Sequence, residues 1–179
     1  MKGLDIMQLT VTLFNTRNFE EYEVGLPQCD LDEYFLMVDV YDDWKDGNFL
    51  ITKIEGDFEF TSYKQDLSLN TLNNLVYAFN YCSPDEQAKL FAIAEINDNT
   101  FEALRYAIDK KDIYELIPIK YTNKYELGKY MFQKHINPVF LQKFEDVLDL
   151  ELFTDFVFMR YYAFETTKGT LLKTIDLLQ

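Results

Sequence analysis

The sequence predicts an α+β fold in three small domains, because the apolar period changes along the chain. Met7–Phe14 alternates apolar with polar residues and is rich in β-branched ones, the signature of a half-buried strand. From Leu69 the period lengthens, so that Leu69, Leu72, Leu75, Val76 and Phe79 share one helical face. Near Ile113 strand character returns. These changes mark an N-terminal acidic α/β domain with antiparallel strands (1–62), a central short-helix domain (63–110) and a C-terminal α/β domain (111–179).

In the first domain, Asn15-Thr16-Arg17-Asn18 turns the opening strand into a second through Tyr22–Leu26, and Pro27 blocks further pairing. Asp30 and Glu33 have capping-box spacing, with Asp in place of the usual Ser or Thr; Leu31, Tyr34, Phe35 and Val38 repeat at helical spacing. A short helix starts there, with acids at its positive end. Asp42–Asn48 reads as a loop. Phe49–Phe60 is strand again, with Ile54, Phe58 and Phe60 on one side and Glu55, Asp57 and Glu59 on the other. Alternate strand residues stand roughly 6.6 Å apart, so these carboxylates would form a straight row facing water. Tyr63–Ser68 is a polar linker.

In the central domain, Ser68 or Asn70 caps the first helix. Ser83-Pro84-Asp85-Glu86 then supplies a Ser N-cap, a proline at the first helical position, acids in the first turn and a glutamate placed to close a capping box. Leu90, Phe91 and Ala94 follow on one face. Asn97–Thr100 breaks the pattern, and Phe101, Leu104 and Ile108 begin a third helix.

In the last domain, Ile113–Tyr121 is strand, with Pro118 implying an edge or an end. Thr122 or Asn123 caps a helix whose Leu127, Tyr130 and Met131 share a face. Asn137-Pro138 starts another through Phe140, Phe144, Val147 and Leu148. Phe156–Phe164 is the most aromatic run and would be an aggregation hazard as an exposed edge, so it is expected to be covered within the domain or by another subunit. Lys168-Gly169 would turn it into a closing strand at Leu171–Ile175.

The inventory of reactive groups narrows function by what it lacks. A nucleophilic triad needs a base, and the single histidine, His135, lies at a helix end between Lys129 and Lys134, where an exposed or capping role is expected. One histidine with two separated cysteines, Cys29 and Cys82, gives no zinc spacing and suits a reducing compartment. No glycine pattern cradles phosphate, and Asp42–Gly47 lacks the calcium-loop spacing. No catalytic residue, metal or cofactor is expected; a carboxylate-pair hydrolase stays open on composition alone. No signal peptide and no run of 18 apolar residues is present, so a cytoplasmic protein that does not bind membrane is expected.

Charge carries the positive signal. The net charge is -14, and residues 1–66 hold 15 acids against 5 bases, while residues 67–179 hold 16 against 12. An excess of this sign argues against direct nucleic-acid binding, which needs clustered Lys and Arg. The density peaks over Glu20, Glu21, Glu23, Asp30, Asp32, Glu33, Asp39, Asp42, Asp43, Asp46, Glu55, Asp57 and Glu59, opposed only by Lys45 and Lys53. Duplex DNA carries about one negative charge per 1.7 Å of axis, so such a stretch on an ordered scaffold could stand in for a phosphate backbone. The plainer reading is a solvated face that confers solubility. Aromatic residues at 17% set disorder aside.

The order of elements resembles the ArdA family of antirestriction proteins over roughly Met7 to Lys173. The likeness rests on Met7-Gln8 through Phe14-Asn15, Val24-Gly25-Leu26-Pro27, Ile51-Thr52-Lys53-Ile54-Glu55-Gly56-Asp57-Phe58-Glu59, Leu69-Asn70-Thr71-Leu72-Asn73-Asn74-Leu75, Ser83-Pro84-Asp85-Glu86, Tyr125-Glu126-Leu127-Gly128-Lys129-Tyr130 and Pro138 through Leu141-Gln142. The resemblance implies an elongated homodimer in a bacterial host cell that mimics bent DNA and occupies the DNA-binding groove of a type I restriction-modification enzyme. On that reading the acidic ribbon continues through Asp66, Asp85, Glu86, Glu95 and Asp98, and the C-terminal domain dimerises through Leu127, Tyr130, Met131, Phe140 and Phe144. The Lys-rich segment Lys110–Lys134 departs from the pattern, being more basic than a mimic requires. Other readings from the same residues are an inhibitor of another nuclease, such as a CRISPR effector, and an acidic protein-protein adaptor.

Overall fold

The alternating stretch near the N-terminus becomes β1 (Leu9–Asn15), which turns Leu9, Val11 and Leu13 into the core. In the computed structural model, which describes residues 6–56, 67–118, 123–136, 138–144 and 147–175, this strand is the middle of an antiparallel sheet. Its neighbours are β2 (Glu21–Leu26) and β3 (Phe49–Gly56), in the order β2-β1-β3. Thr12 faces Lys53 and Leu13 faces Ile51, so Thr52 is an extra residue in β3. That bulge breaks the strict alternation expected there.

Between β2 and β3 lies α1 (Leu31–Met37), capped by Asp30, whose carboxylate accepts from the N–H groups of Asp32 and Glu33. The helix closes on a Schellman motif: Asp39 N–H donates to the Leu36 carbonyl at 3.2 Å and Val40 N–H to that of Phe35 at 3.1 Å. Asp39 occupies the left-handed position with φ of 58°, which aspartate tolerates better than most residues. Where a loop is expected over Asp42–Asn48, Tyr41–Lys45 forms a short helix, α2. Tertiary anchoring decides this. Trp44 stacks on Phe35 with ring centroids 4.4 Å apart, and its Nε1 donates to Asp32 at 2.8 Å.

The middle of the chain forms α3 (Leu69–Asn80), α4 (Pro84–Glu95) and α5 (Phe101–Lys110), with the expected caps at Ser68 and Ser83. Two asparagines seven residues apart on α3 dock it to the N-terminal chain as if they were backbone. Asn73 accepts from Gln28 N–H (2.8 Å) and returns a bond to its carbonyl (2.9 Å); Asn80 does the same for Met7 at 2.8 and 3.0 Å. One continuous apolar core runs from Met7 through Phe35, Leu72, Phe79 and Leu104 to Tyr114 and Leu171. It crosses both positions where the sequence period changes.

After a 3₁₀ turn at Lys111–Ile113 come β4 (Tyr114–Pro118), α6 (Lys124–His135), α7 (Pro138–Phe144), α8 (Leu150–Phe158), β5 (Tyr161–Thr166) and β6 (Gly169–Thr174). The sheet is antiparallel, ordered β4-β6-β5. One expectation is corrected here. The helix expected to run through Leu148 is described over Pro138–Phe144, and Leu148 lies outside any helix, just before Asp149 caps a new one by accepting from Leu152 N–H at 2.8 Å. The aromatic run Phe156–Phe164 is divided between the end of α8 and the edge strand β5, with Phe156 and Tyr162 each 58% exposed.

Leu127 and Met131, expected at a dimer surface, instead pack with Ile117 and Leu172 in a small core of the same chain. Tyr130 is half-buried against that cluster, and the side chains of Phe140 and Phe144 lie outside the described residues. Among the described residues, no helix is long and apolar enough to cross a membrane.

Candidate functional site

The carboxylates of the acidic stretch fall into two groups according to what they touch. Five are used by the fold. Asp30 caps α1, Asp32 receives Trp44 and Lys45, and Glu20 receives Asn18 (3.1 Å) and Tyr22 (2.9 Å). Asp43 receives Asn15 at 2.8 Å and Arg17 at 2.9 Å. Glu55 pairs with Lys53 at 2.7 Å, so the row expected to begin there opens with a neutralised member. Lysine donation holds the Asp32 carboxyl below the usual range, and the Asn15 and Arg17 bonds do the same for Asp43. Asp57, Glu59 and Asp66 lie outside the described residues.

The second group is Glu21, Glu23, Glu33, Asp39, Asp42 and Asp46, all exposed and none in an ion pair with a described Lys or Arg. Glu21 and Glu23 are alternate residues of the edge strand β2 and point to its solvent side, while Tyr22 and Val24 face inward. Their charge also discourages pairing of that edge with another strand. Glu33 is in α1, Asp39 ends it, and Asp42 and Asp46 flank the exposed side of α2. Arg17 feels Asp42 and Asp46 electrostatically but contacts Asp43.

These three elements are clipped to one another. The Tyr34 hydroxyl of α1 donates to the Glu23 carbonyl of β2 at 2.6 Å, and the Phe35–Trp44 stack joins α1 to α2. The six carboxylates are thus carried by a framework with fixed internal contacts.

The proposed extension beyond residue 66 is sorted in the same way. Asp85 is exposed in the first turn of α4. Glu86 completes a capping box with Ser83 and receives Lys111 at 2.8 Å, which together hold its carboxyl down to about 2. Glu95 accepts from the Thr167 N–H and hydroxyl, fastening the β5–β6 turn to α4. Asp98 is exposed in a left-handed turn with φ of 69°. Glu86 and Glu95 therefore serve as joints between segments. His135 approaches Glu115 at 3.2 Å beside Lys134, at the end of α6 as the sequence implied.

Sequence reasoning did not locate a cleft between α4, β4 and α6 where lysines converge. Lys89, Lys134 and Lys168 come from positions 34 and 45 residues apart, and only folding brings them together. Among the described residues, no group of three His, Cys, Asp or Glu side chains is placed to hold a metal ion. No family model matches the chain, and no curated protein matches it.

Proposed function

We propose that this chain is a DNA-mimic inhibitor of a DNA-binding defence enzyme, with a type I restriction-modification enzyme as the target class. The observation that carries this reading is the set of six exposed carboxylates on and around β2, α1 and α2, none in an ion pair with a described Lys or Arg. Leaving carboxylates of one sign exposed and unpaired on a clipped framework costs self-repulsion, and a cationic partner surface relieves it. A groove built for phosphate already presents Lys and Arg, so association is steered by charge and weakens as salt rises. A homodimer, as the family resemblance implies, would present this surface twice. The reading requires no catalytic group.

The test is competition. Purified protein should displace duplex DNA from a type I methyltransferase core, less effectively at higher salt. Reversing Glu21, Glu23, Glu33, Asp39, Asp42 and Asp46 to lysine should weaken displacement by at least about tenfold, or ~1.4 kcal/mol. Displacement that survives these reversals overturns the reading. Failure on the type I core with success against another nuclease moves the target class and keeps the mimicry.

A further inference from the structure

The lysine-rich segment that the acidic surface leaves unexplained contributes to a cleft of about 520 Å³ between α4, β4, α6 and the β5–β6 turn. This lies within the typical range of small-ligand pockets, about 300–1,000 Å³. Three ammonium groups line it. Lys89 donates to the Tyr114 carbonyl at 3.1 Å, Lys134 reaches Glu115 at 2.8 Å, and Lys168 lies over the Phe91 ring at 5.5 Å. Neither Lys89 nor Lys168 forms an ion pair with a described carboxylate.

Of the three acids lining the cleft, two have cationic partners, one of them the cleft lysine Lys134. Glu86 is held by Ser83 and Lys111, and Glu115 by Lys134 and His135. Asp85 remains exposed at the mouth. Burial pushes the Lys89 ammonium down, while Asp112 and Glu86 attract it against the repulsion of Lys111 and Lys134. In a chain with 31 acids and 17 bases, Lys89 and Lys168 line one cleft without an ion-pair partner among the described carboxylates. A bound dianion would give these two ammonium groups an anionic partner, and lysine serves phosphate as a point charge.

We infer that this cleft binds a small organic phosphate, with its phosphoryl oxygens on Lys89, Lys134 and Lys168 and its body against Leu116, Pro118 and Tyr130. The site is separate from the acidic surface and independent of DNA mimicry.

The experiment is calorimetric titration of the full chain at constant ionic strength with adenosine monophosphate, inorganic phosphate and adenosine. Saturable binding of adenosine monophosphate is expected, with weaker binding of phosphate and none of adenosine. Lys89→Met should lower affinity at least tenfold while melting no lower than the parent without ligand, because it removes a half-buried charge. Lys168→Gln, on an exposed turn, should also lower affinity and provides the test if Lys89→Met does not fold. The inference is overturned if neither phosphate compound saturates at millimolar concentration, if adenosine binds as well as its phosphate, or if the folded variants bind like the parent.

Discussion

Asn15 and Asp43 form a joint beneath the acidic surface: the wholly buried Asn15 donates its side-chain N–H to Asp43 Oδ2 at 2.8 Å. Asp43 Oδ1 accepts from Arg17 at 2.9 Å. This carboxylate is therefore committed to the turn between β1 and β2, while its neighbour Asp42 is exposed and unpaired. Asp43→Ala should destabilise the protein by ~1–3 kcal/mol, because it strands a buried amide donor. Asp42→Ala should stay within about 0.5 kcal/mol of the parent. Urea denaturation checks both, and equal losses would show that the two acids are not divided between fold and surface. On the proposed mimicry the order should reverse in DNA competition: Asp42→Ala should weaken displacement, and folded Asp43→Ala should not.

The α+β class was legible because period two and helical period are local properties, and the strands from Leu9 and Glu21 and the cap at Ser83 appear where the pattern placed them. The helix at Tyr41–Lys45 was not legible, since Trp44 is held by Phe35 and Asp32 from another element. Composition located the acidic stretch but could not divide it. Asp42 and Asp43 are identical side chains in sequence, and only the position of Asn15 across the turn separates their roles. Leu127 and Met131 illustrate a similar limit, because an apolar helical face gives no indication of whether its cover comes from the same chain or from another.

Acid should unfold the protein partly through Glu86. Its carboxyl is held near 2 against an ordinary value of 4.5, chiefly by Lys111 and the Ser83 cap. A depressed folded value means stability that is fully present above pH 4.5 and is lost as pH falls from there through about 2. Asp32 and Asp43 are lowered as well and act in the same direction. Glu86→Gln keeps an acceptor for the cap but loses the attraction to Lys111. It should cost no more than about 1 kcal/mol at neutral pH, as expected for a partly exposed pair, and flatten the dependence of stability on pH between 4.5 and 2. Chemical denaturation at a series of pH values measures this. An unchanged slope would mean that Glu86 does not link α4 to the turn after α5.

Gly128 of α6 sets how closely that helix crosses α8. A Cβ there would lie 2.1 Å from the Leu150 carbonyl oxygen and 2.6 Å from the Thr154 hydroxyl, and the Leu150 obstacle is backbone. Thr154 is itself fully buried and bonded to the carbonyls of Lys124 at 2.7 Å and Leu150 at 2.9 Å, so it has little room to turn away. Alanine favours an isolated helix over glycine by about 1 kcal/mol. Forcing α6 and α8 apart opens the small cores around Leu127 and Leu150, and overpacking of this kind costs ~1–3 kcal/mol or more. Gly128→Ala should therefore lower stability on balance, whereas Gly25→Ala on exposed β2, with nothing within 4 Å of its new methyl, should be close to neutral. Thermal melts of the two variants separate the outcomes, and a Gly128→Ala protein as stable as the parent would rule out this helix crossing.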